Sequence, residues 1–207
     1  MQVSLLSLLD YAGVATFAAS GALMAAEKRQ DILTFVFFAA ITGVGGGTLR
    51  DVLIGAPVFW VADPGYAIVC AAVAVLVWLV RGPRRELAQA LLWLDAAGLC
   101  VYAVVGAGKA LSLGVHPVVC VVMGVITSVF GGVIRDVLAQ EQSILLRREL
   151  YISAAIVSAT IFVALRVAGA DGVVASAIAI PLGFAVRAGA ILWKWRLPAF
   201  EPPKAKG

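Results

Sequence analysis

The sequence predicts an all-α integral membrane protein with seven transmembrane helices, and three observations support this prediction. Hydrophobic residues make up 62% of the 207 residues and charged residues only 14%, whereas soluble domains average about 45–50% and about 25%. Seven apolar stretches are long enough to cross about 30 Å of hydrocarbon. The first six of them form two similar copies of three. This composition argues against a soluble enzyme or a nucleic-acid-binding protein, because a soluble fold cannot bury so much apolar surface.

The predicted spans follow one another between short polar or Gly/Pro breaks. The run Glu27-Lys28-Arg29-Gln30 ends the first span, and Arg81-Gly82-Pro83-Arg84-Arg85-Glu86 separates the third from the fourth. In chain order the seven spans are Leu5–Ala26, Asp31–Gly55, Pro64–Arg81, Ala88–Gly108, Val115–Ala139, Glu149–Ala168 and Gly172–Trp195.

The basic residues predict how the chain is oriented in the membrane. Only Lys109 and Arg166 lie on the side of the even-numbered loops, and Lys109 is interpreted as an interfacial polar residue. Because basic residues favour the cytoplasmic side, we expect the N-terminus outside and the C-terminus in the cytoplasm. The side that carries the C-terminus holds 11 of the 16 basic residues: Lys28, Arg29, Arg81, Arg84, Arg85, Arg147, Arg148, Lys194, Arg196, Lys204 and Lys206.

An internal repeat organises the first six spans. When the sequence is shifted by 85 residues, residues 9–54 match residues 94–139 at 18 of 46 positions without a gap, including a shared Gly-Gly-x-x-Arg-Asp. Each copy has three spans, and three is odd, so the second copy must enter the membrane upside down. Inverted repeats of this kind place an ion or substrate path at their interface. The predicted units are residues 1–84 and 85–170, followed by a seventh helix and cytoplasmic tail at 171–207.

Glycine clusters lie near the middle of the second and fifth spans. Each glycine costs about 1 kcal/mol of helix propensity relative to alanine, so the clusters favour broken helices 2 and 5. Carbonyls freed by a break would suit transient K⁺ coordination. Close packing of small residues is the other interpretation of the same spacing. The candidate pore and hinge residues are Thr42, Gly45, Gly46, Gly47, Thr127, Ser128, Gly131 and Gly132.

Ionisable residues inside the spans are candidates for gating, because charges in a membrane are costly and usually functional. Helix depth places Asp10 near Arg50, and Asp95 near Arg135. This predicts two symmetry-related charge clusters that act as gates or as structural ion pairs. The cluster residues are Asp10, Arg50, Asp51, Asp95, Arg135, Asp136 and Arg187. A single histidine and the absence of a catalytic set or metal-ligand spacing predict no enzyme, no cofactor and no bound metal.

The paired motifs resemble those of a known family. Gly45-Gly46-Gly47-Thr48-Leu49-Arg50-Asp51 with Pro57-Val58-Phe59-Trp60, followed by Gly131-Gly132-Val133-Ile134-Arg135-Asp136, is similar to the prokaryotic branch of the trimeric intracellular cation (TRIC) channels. The resemblance implies a homotrimer among the lipids of a prokaryotic inner membrane. It also implies one pore per protomer, near the glycine hinges of helices 2 and 5, that conducts potassium and also sodium.

A second function is compatible with the same pattern. Inverted repeats with broken helices also suit alternating access, so a secondary transporter of a small solute, such as a small amino acid, is the alternative.

Overall fold

The computed structural model describes residues 5–80, 84–141 and 150–195, which are helical and contain no strand. The basic residues Arg81, Arg147, Arg148, Arg196, Lys204 and Lys206 of the orientation argument, and the predicted tail, lie outside these ranges. Within the described ranges the helices are α1 (Leu5–Glu27), α2 (Ile32–Leu53), α3 (Phe59–Ala62), α4 (Gly65–Leu79), α5 (Arg84–Ser112), α6 (Pro117–Leu138), α7 (Ile152–Val167) and α8 (Gly172–Trp193).

Five helices, α1, α2, α5, α6 and α8, are long and apolar enough to cross a membrane. The predicted third and sixth spans coincide with α4 and α7, which are apolar but have only 15 and 16 residues. At 1.5 Å per residue they measure about 23 Å, less than the hydrocarbon thickness of about 30 Å. The chain is therefore a multi-pass membrane protein. The four-residue helix α3 in the connection between α2 and α4 was not predicted.

Helix starts follow from local chemistry. The Asp31 side chain accepts a hydrogen bond of 2.8 Å from the Thr34 amide at the start of α2, and this bond lowers the pKa of Asp31. Asp171 caps α8 in the same way, through the Val173 amide. A carboxylate at this position satisfies an otherwise unpaired amide and suits the positive end of the helix dipole.

The prediction of broken helices at the glycine clusters is wrong for this structure. Ile32–Leu53 and Pro117–Leu138 are each one uninterrupted α-helix. In a continuous helix the carbonyls form internal hydrogen bonds, so none is freed for an ion by a break. The glycines allow close contact instead. Gly46 packs against the Thr127 carbonyl, and Gly131 packs against the Thr42 carbonyl.

These contacts relate the two copies by approximate two-fold symmetry. Gly46–Thr127 becomes Gly131–Thr42 when each residue is replaced by its counterpart 85 positions away. As the residue number rises along α2, the partner number falls along α6, so the two helices are antiparallel. Equivalent helices of the two copies therefore run in opposite directions.

The contact between α1 and α5 repeats this symmetry. Gly13 faces the Tyr102 ring, and their counterparts Gly98 and Phe17 make the same kind of contact. The Phe17 and Tyr102 rings stack with their centroids 5.1 Å apart. The four central helices of the bundle, α1, α2, α5 and α6, are thus held together by pairs of equivalent contacts.

Candidate functional site

Two buried groups of charged side chains lie on either side of the α2–α6 crossing. The first, here called the Arg135 cluster, consists of Arg135, Asp95, Asp136 and Arg187. Arg135 is 1% exposed. One terminal nitrogen of its guanidinium lies 2.7 Å from an Asp95 oxygen and also bonds the Ser20 hydroxyl, and the other lies 2.7 Å from an Asp136 oxygen. This ion pair therefore joins helices α1, α5 and α6.

The seventh long helix completes the Arg135 cluster. Arg187 of α8 is fully buried, and its guanidinium carbon lies 5.2 Å from the centre of the Tyr151 ring. Gly132 leaves room for this group. A Cβ at position 132 would be 3.3 Å from the Tyr151 hydroxyl and 3.4 Å from an Asp95 oxygen. Gly132 therefore serves the cluster by leaving this space to its polar groups.

The second group, the Arg50 cluster, consists of Arg50, Asp51, Lys109 and Asp10. Arg50 and Asp51 are fully buried, and Arg50 Nε donates to Asp51 Oδ1 over 2.9 Å. The Lys109 ammonium lies 2.7 Å from the same oxygen. The other Asp51 oxygen accepts the Phe59 amide at 2.9 Å. One carboxylate thus holds two cations and the start of α3.

Asp10 belongs to the Arg50 cluster through its charge, without a hydrogen bond to Arg50. The Tyr66 hydroxyl donates to one Asp10 oxygen at 3.2 Å, and Arg50 and Lys109 attract the carboxylate through space. Among the described residues, the other Asp10 oxygen and both terminal nitrogens of Arg50 have no hydrogen-bond partner. The structure therefore brings Asp95 to Arg135 but leaves Asp10 and Arg50 unbonded.

Sequence reasoning missed two residues of the Arg50 cluster. Lys109, interpreted as an interfacial residue, forms an ion pair with Asp51. The 85-residue shift gave no signal for it, because its counterpart is Met24. Phe59 was noted only within a motif, yet its ring centre lies 5.7 Å from the Arg50 guanidinium carbon and 5.9 Å from the Lys109 nitrogen.

The threonines and the serine of the predicted hinges are buried between the clusters. Thr42 and Thr127 are 1% exposed, and Ser128 is fully buried. A Cβ at Gly21 would lie 2.6 Å from the Thr42 hydroxyl, and Gly106 faces the Thr127 hydroxyl in the same way. With the threonines and both arginines shielded from water, the conformation is closed at the crossing.

The Arg135 and Arg50 clusters each contain two cations and two carboxylates, so their formal charges balance. In each cluster one cation belongs to the repeated motif, and the other, Arg187 or Lys109, has no charged counterpart 85 residues away. Charges that compensate one another in this way are the form in which ionisable groups are tolerated inside a membrane.

Comparisons with known proteins agree with this architecture. One family model, described as "Glycine transporter", matches the chain twice, at residues 7–82 and 92–167. The two matches begin 85 residues apart, as the repeat does. The UPF0126 inner membrane protein YadS of Escherichia coli strain K12 is 40% identical over 202 residues, covering 93% of this chain and 94% of YadS. A UPF0126 membrane protein of Vibrio cholerae is 38% identical over 206 residues, covering 99% and 86% of the two chains.

Solved structures with this fold are TRIC channels. The TRIC trimeric intracellular cation channel orthologue from Rhodobacter sphaeroides is 43% identical, with a TM-score of 0.87 over 94% of this chain and 100% of that one. A prokaryotic TRIC channel in 0.5 M KCl is 29% identical, with a TM-score of 0.83 over 93% and 98%. The resemblance noted in the sequence is confirmed. The chain belongs to the family described as glycine transporters, whose UPF0126 members are the TRIC-like membrane proteins of prokaryotes.

Proposed function

We propose that the protein is a passive channel for monovalent cations, chiefly potassium and also sodium, with one pore in each protomer. The observation that carries this proposal is the likeness to the Rhodobacter sphaeroides cation channel over 94% of the chain at 43% identity. That likeness favours a channel over the secondary transporter of a small solute that the repeat alone also allowed.

The pore of this proposal passes the α2–α6 crossing, where the threonines and glycines of the two copies meet. A bare arginine beside such a path would repel cations. Arg50 and Arg135 are instead compensated by Asp51, Asp95 and Asp136, so the local field does not oppose a cation. Because the crossing is closed in the described conformation, conduction requires α2 and α6 to rearrange there.

In this proposal the two charge clusters act as gates on either side of the crossing. Opening would require the ion pairs that join different helices, such as Arg135–Asp95 between α6 and α5, to separate. Neutralisation by Arg135→Gln tests this idea in a variant checked for normal folding. A changed open probability supports gating. Unchanged conductance and gating would leave these ion pairs with a structural role only.

Channel activity is tested by reconstituting purified protein in a planar bilayer under a tenfold KCl gradient. We expect unitary currents that reverse close to the potassium equilibrium potential, about 59 mV in magnitude for a monovalent ion. Replacing K⁺ by Na⁺ on one side then measures the preference between the two cations. Protein-free bilayers provide the baseline. Saturable solute uptake into vesicles, with no resolvable unitary current, would contradict a channel and support the transporter.

The same proposal covers assembly and placement. We expect a homotrimer embedded in the lipids of a prokaryotic inner membrane, with the N-terminus outside and the C-terminus in the cytoplasm. The units 1–84, 85–170 and 171–207 are two inverted three-helix repeats and a seventh helix. No cofactor, enzymatic activity or nucleic-acid partner belongs to the proposal. Native mass spectrometry tests the trimer, and reporter fusions at the C-terminus test the orientation.

A further inference from the structure

The two clusters differ in one ion pair that symmetry would lead one to expect in both. Arg135 contacts Asp95 at 2.7 Å. Their counterparts 85 residues earlier are Arg50 and Asp10, which form no such bond. Both terminal nitrogens of Arg50 and one oxygen of Asp10 lack a hydrogen-bond partner among the described residues. Since Arg50 is fully buried, its unused donors are costly, and some feature of the structure must keep the pair apart.

The aromatic ring of Phe59 is the group that separates them. Its centre lies 5.7 Å from the Arg50 guanidinium carbon and 4.7 Å from the centre of the Tyr66 ring, edge to face. Tyr66 in turn holds Asp10 by its hydroxyl. The order of contacts is therefore Arg50, Phe59, Tyr66 and Asp10, with the cation at one end and the carboxylate at the other.

Phe59 is itself held firmly in place. Its amide donates to Asp51 at 2.9 Å, and its ring occupies the space that a side chain at Gly47 would fill. The ring also lies 5.9 Å from the Lys109 nitrogen. Aromatic faces attract cations within about 6 Å, so the ring gives Arg50 and Lys109 a substitute for a second carboxylate.

We propose that Phe59 is a positioning residue that holds Arg50 away from Asp10 and so leaves one Asp10 oxygen available to permeant cations. The last clause rests on the proposed channel function. The separation of Arg50 from Asp10 does not, and the two parts are tested by different measurements.

The separation is tested by a double-mutant cycle on thermal unfolding, with Arg50→Gln and Asp10→Asn. In the wild-type background we expect a coupling of less than about threefold in the unfolding equilibrium. With Phe59→Ala, Arg50 reaches Asp10 and the coupling rises to about tenfold or more. Any general destabilisation by the alanine cancels, because all four members of the cycle carry it. Phe59→Leu, which keeps the apolar bulk, restores the low coupling.

The Arg135→Gln and Asp95→Asn cycle is the positive control, and we expect it to show coupling in both backgrounds. If Phe59→Ala does not fold, Phe59→Val provides the shortened side chain. A coupling between Arg50 and Asp10 that is equal with and without the Phe59 ring would overturn the positioning role.

The consequence for ions is tested by the unitary conductance in symmetric KCl. Phe59→Ala and Asp10→Asn are each expected to lower the conductance, and the double variant to lower it no further, because both remove the same carboxylate from the path. Trp60→Phe, one residue along α3, is the matched control and leaves conductance unchanged. Reductions that multiply in the double variant would refute the link to Asp10. If the wild-type protein carries no unitary current, the channel proposal fails, while the stability cycle still decides the role of Phe59.

Discussion

The close approach of α2 and α6 predicts that two neighbouring glycines respond oppositely to the same substitution. A methyl group at Gly46 would lie less than 3.0 Å from the carbonyl oxygen of Thr127. That oxygen is part of a helix backbone and cannot turn away as a flexible side chain would. A methyl group at Gly45 would have only the tip of Ile134 nearby, at 3.3 Å. The substitutions Gly46→Ala and Gly45→Ala therefore separate close packing from helix flexibility.

The magnitude follows from two opposing terms. To restore ordinary contacts of about 3.5–4.0 Å, α2 and α6 must part by at least about 0.5 Å at Gly46, and overpacking of this kind costs about 1–3 kcal/mol. The gain in helix propensity from glycine to alanine returns about 1 kcal/mol. With the packing cost at its upper end, Gly46→Ala loses about 2 kcal/mol. Gly45→Ala should be neutral or gain up to about 1 kcal/mol.

Thermal unfolding of the purified protein in detergent, followed by tryptophan fluorescence, measures the difference. For a chain of this size about 2–4 °C correspond to 1 kcal/mol, so Gly46→Ala should melt about 4–8 °C lower than wild type. Gly131→Ala, at the equivalent position against Thr42, should behave like Gly46→Ala. Equal melting temperatures for Gly45→Ala and Gly46→Ala would refute the close crossing and favour glycines that act only as hinges.

Two further predictions concern carboxylates. Asp95→Asn breaks a buried pair with Arg135 and should cost about 3–5 kcal/mol, whereas Asp10→Asn, which loses no bond to an arginine, should cost clearly less; comparable losses in thermal unfolding would contradict the described pairing. The Tyr11 hydroxyl, 2.6 Å from Asp63, and the Gly65 amide lower the pKa of the exposed Asp63, so their stabilisation is present above its ordinary pKa of about 3.9 and is lost as the pH falls through the lower folded value. Carbon NMR titration should find a higher pKa for Asp63 in Tyr11→Phe, and an unchanged midpoint would show that this hydrogen bond does not form.

Much of the fold could be predicted because hydrophobic length and the repeat are properties of the chain itself. The five long apolar helices lie where the spans were predicted, and the 85-residue shift also relates the contacts of the fold. The approach of Asp95 to Arg135 followed from helix depth alone, since both positions count back to similar distances from the membrane centre. These inferences need no knowledge of which helix faces pack together.

The glycine clusters show where sequence reasoning reaches its limit. A run such as Gly45-Gly46-Gly47 weakens an isolated helix, but packing against a neighbouring helix compensates for that weakness. The same residues are required for a break and for a close crossing. Only the position of Thr127 opposite Gly46 decides between them, and that position depends on how two distant segments pack.

Lys109 and Phe59 escaped prediction for a related reason. Lys109 lies near the end of α5, where a lysine ordinarily extends to the membrane surface. Its ion pair with Asp51 depends on the end of α5 lying beside the end of α2. Phe59 follows α2 in a connection, and no periodic pattern marks a residue whose amide and ring both turn back to one carboxylate and its cations.

The equivalent contacts across the bundle also describe what half of this chain would do alone. Gly46 against Thr127 and Gly131 against Thr42 are one contact made twice, as in an isologous interface between two identical subunits. A three-helix ancestor inserting in both directions would have formed this fold as an antiparallel dimer. Joining the halves in one chain released them from identity: Lys109 could arise without altering Met24, and Ser20 without altering Val105. The uneven charge clusters are the result of that freedom.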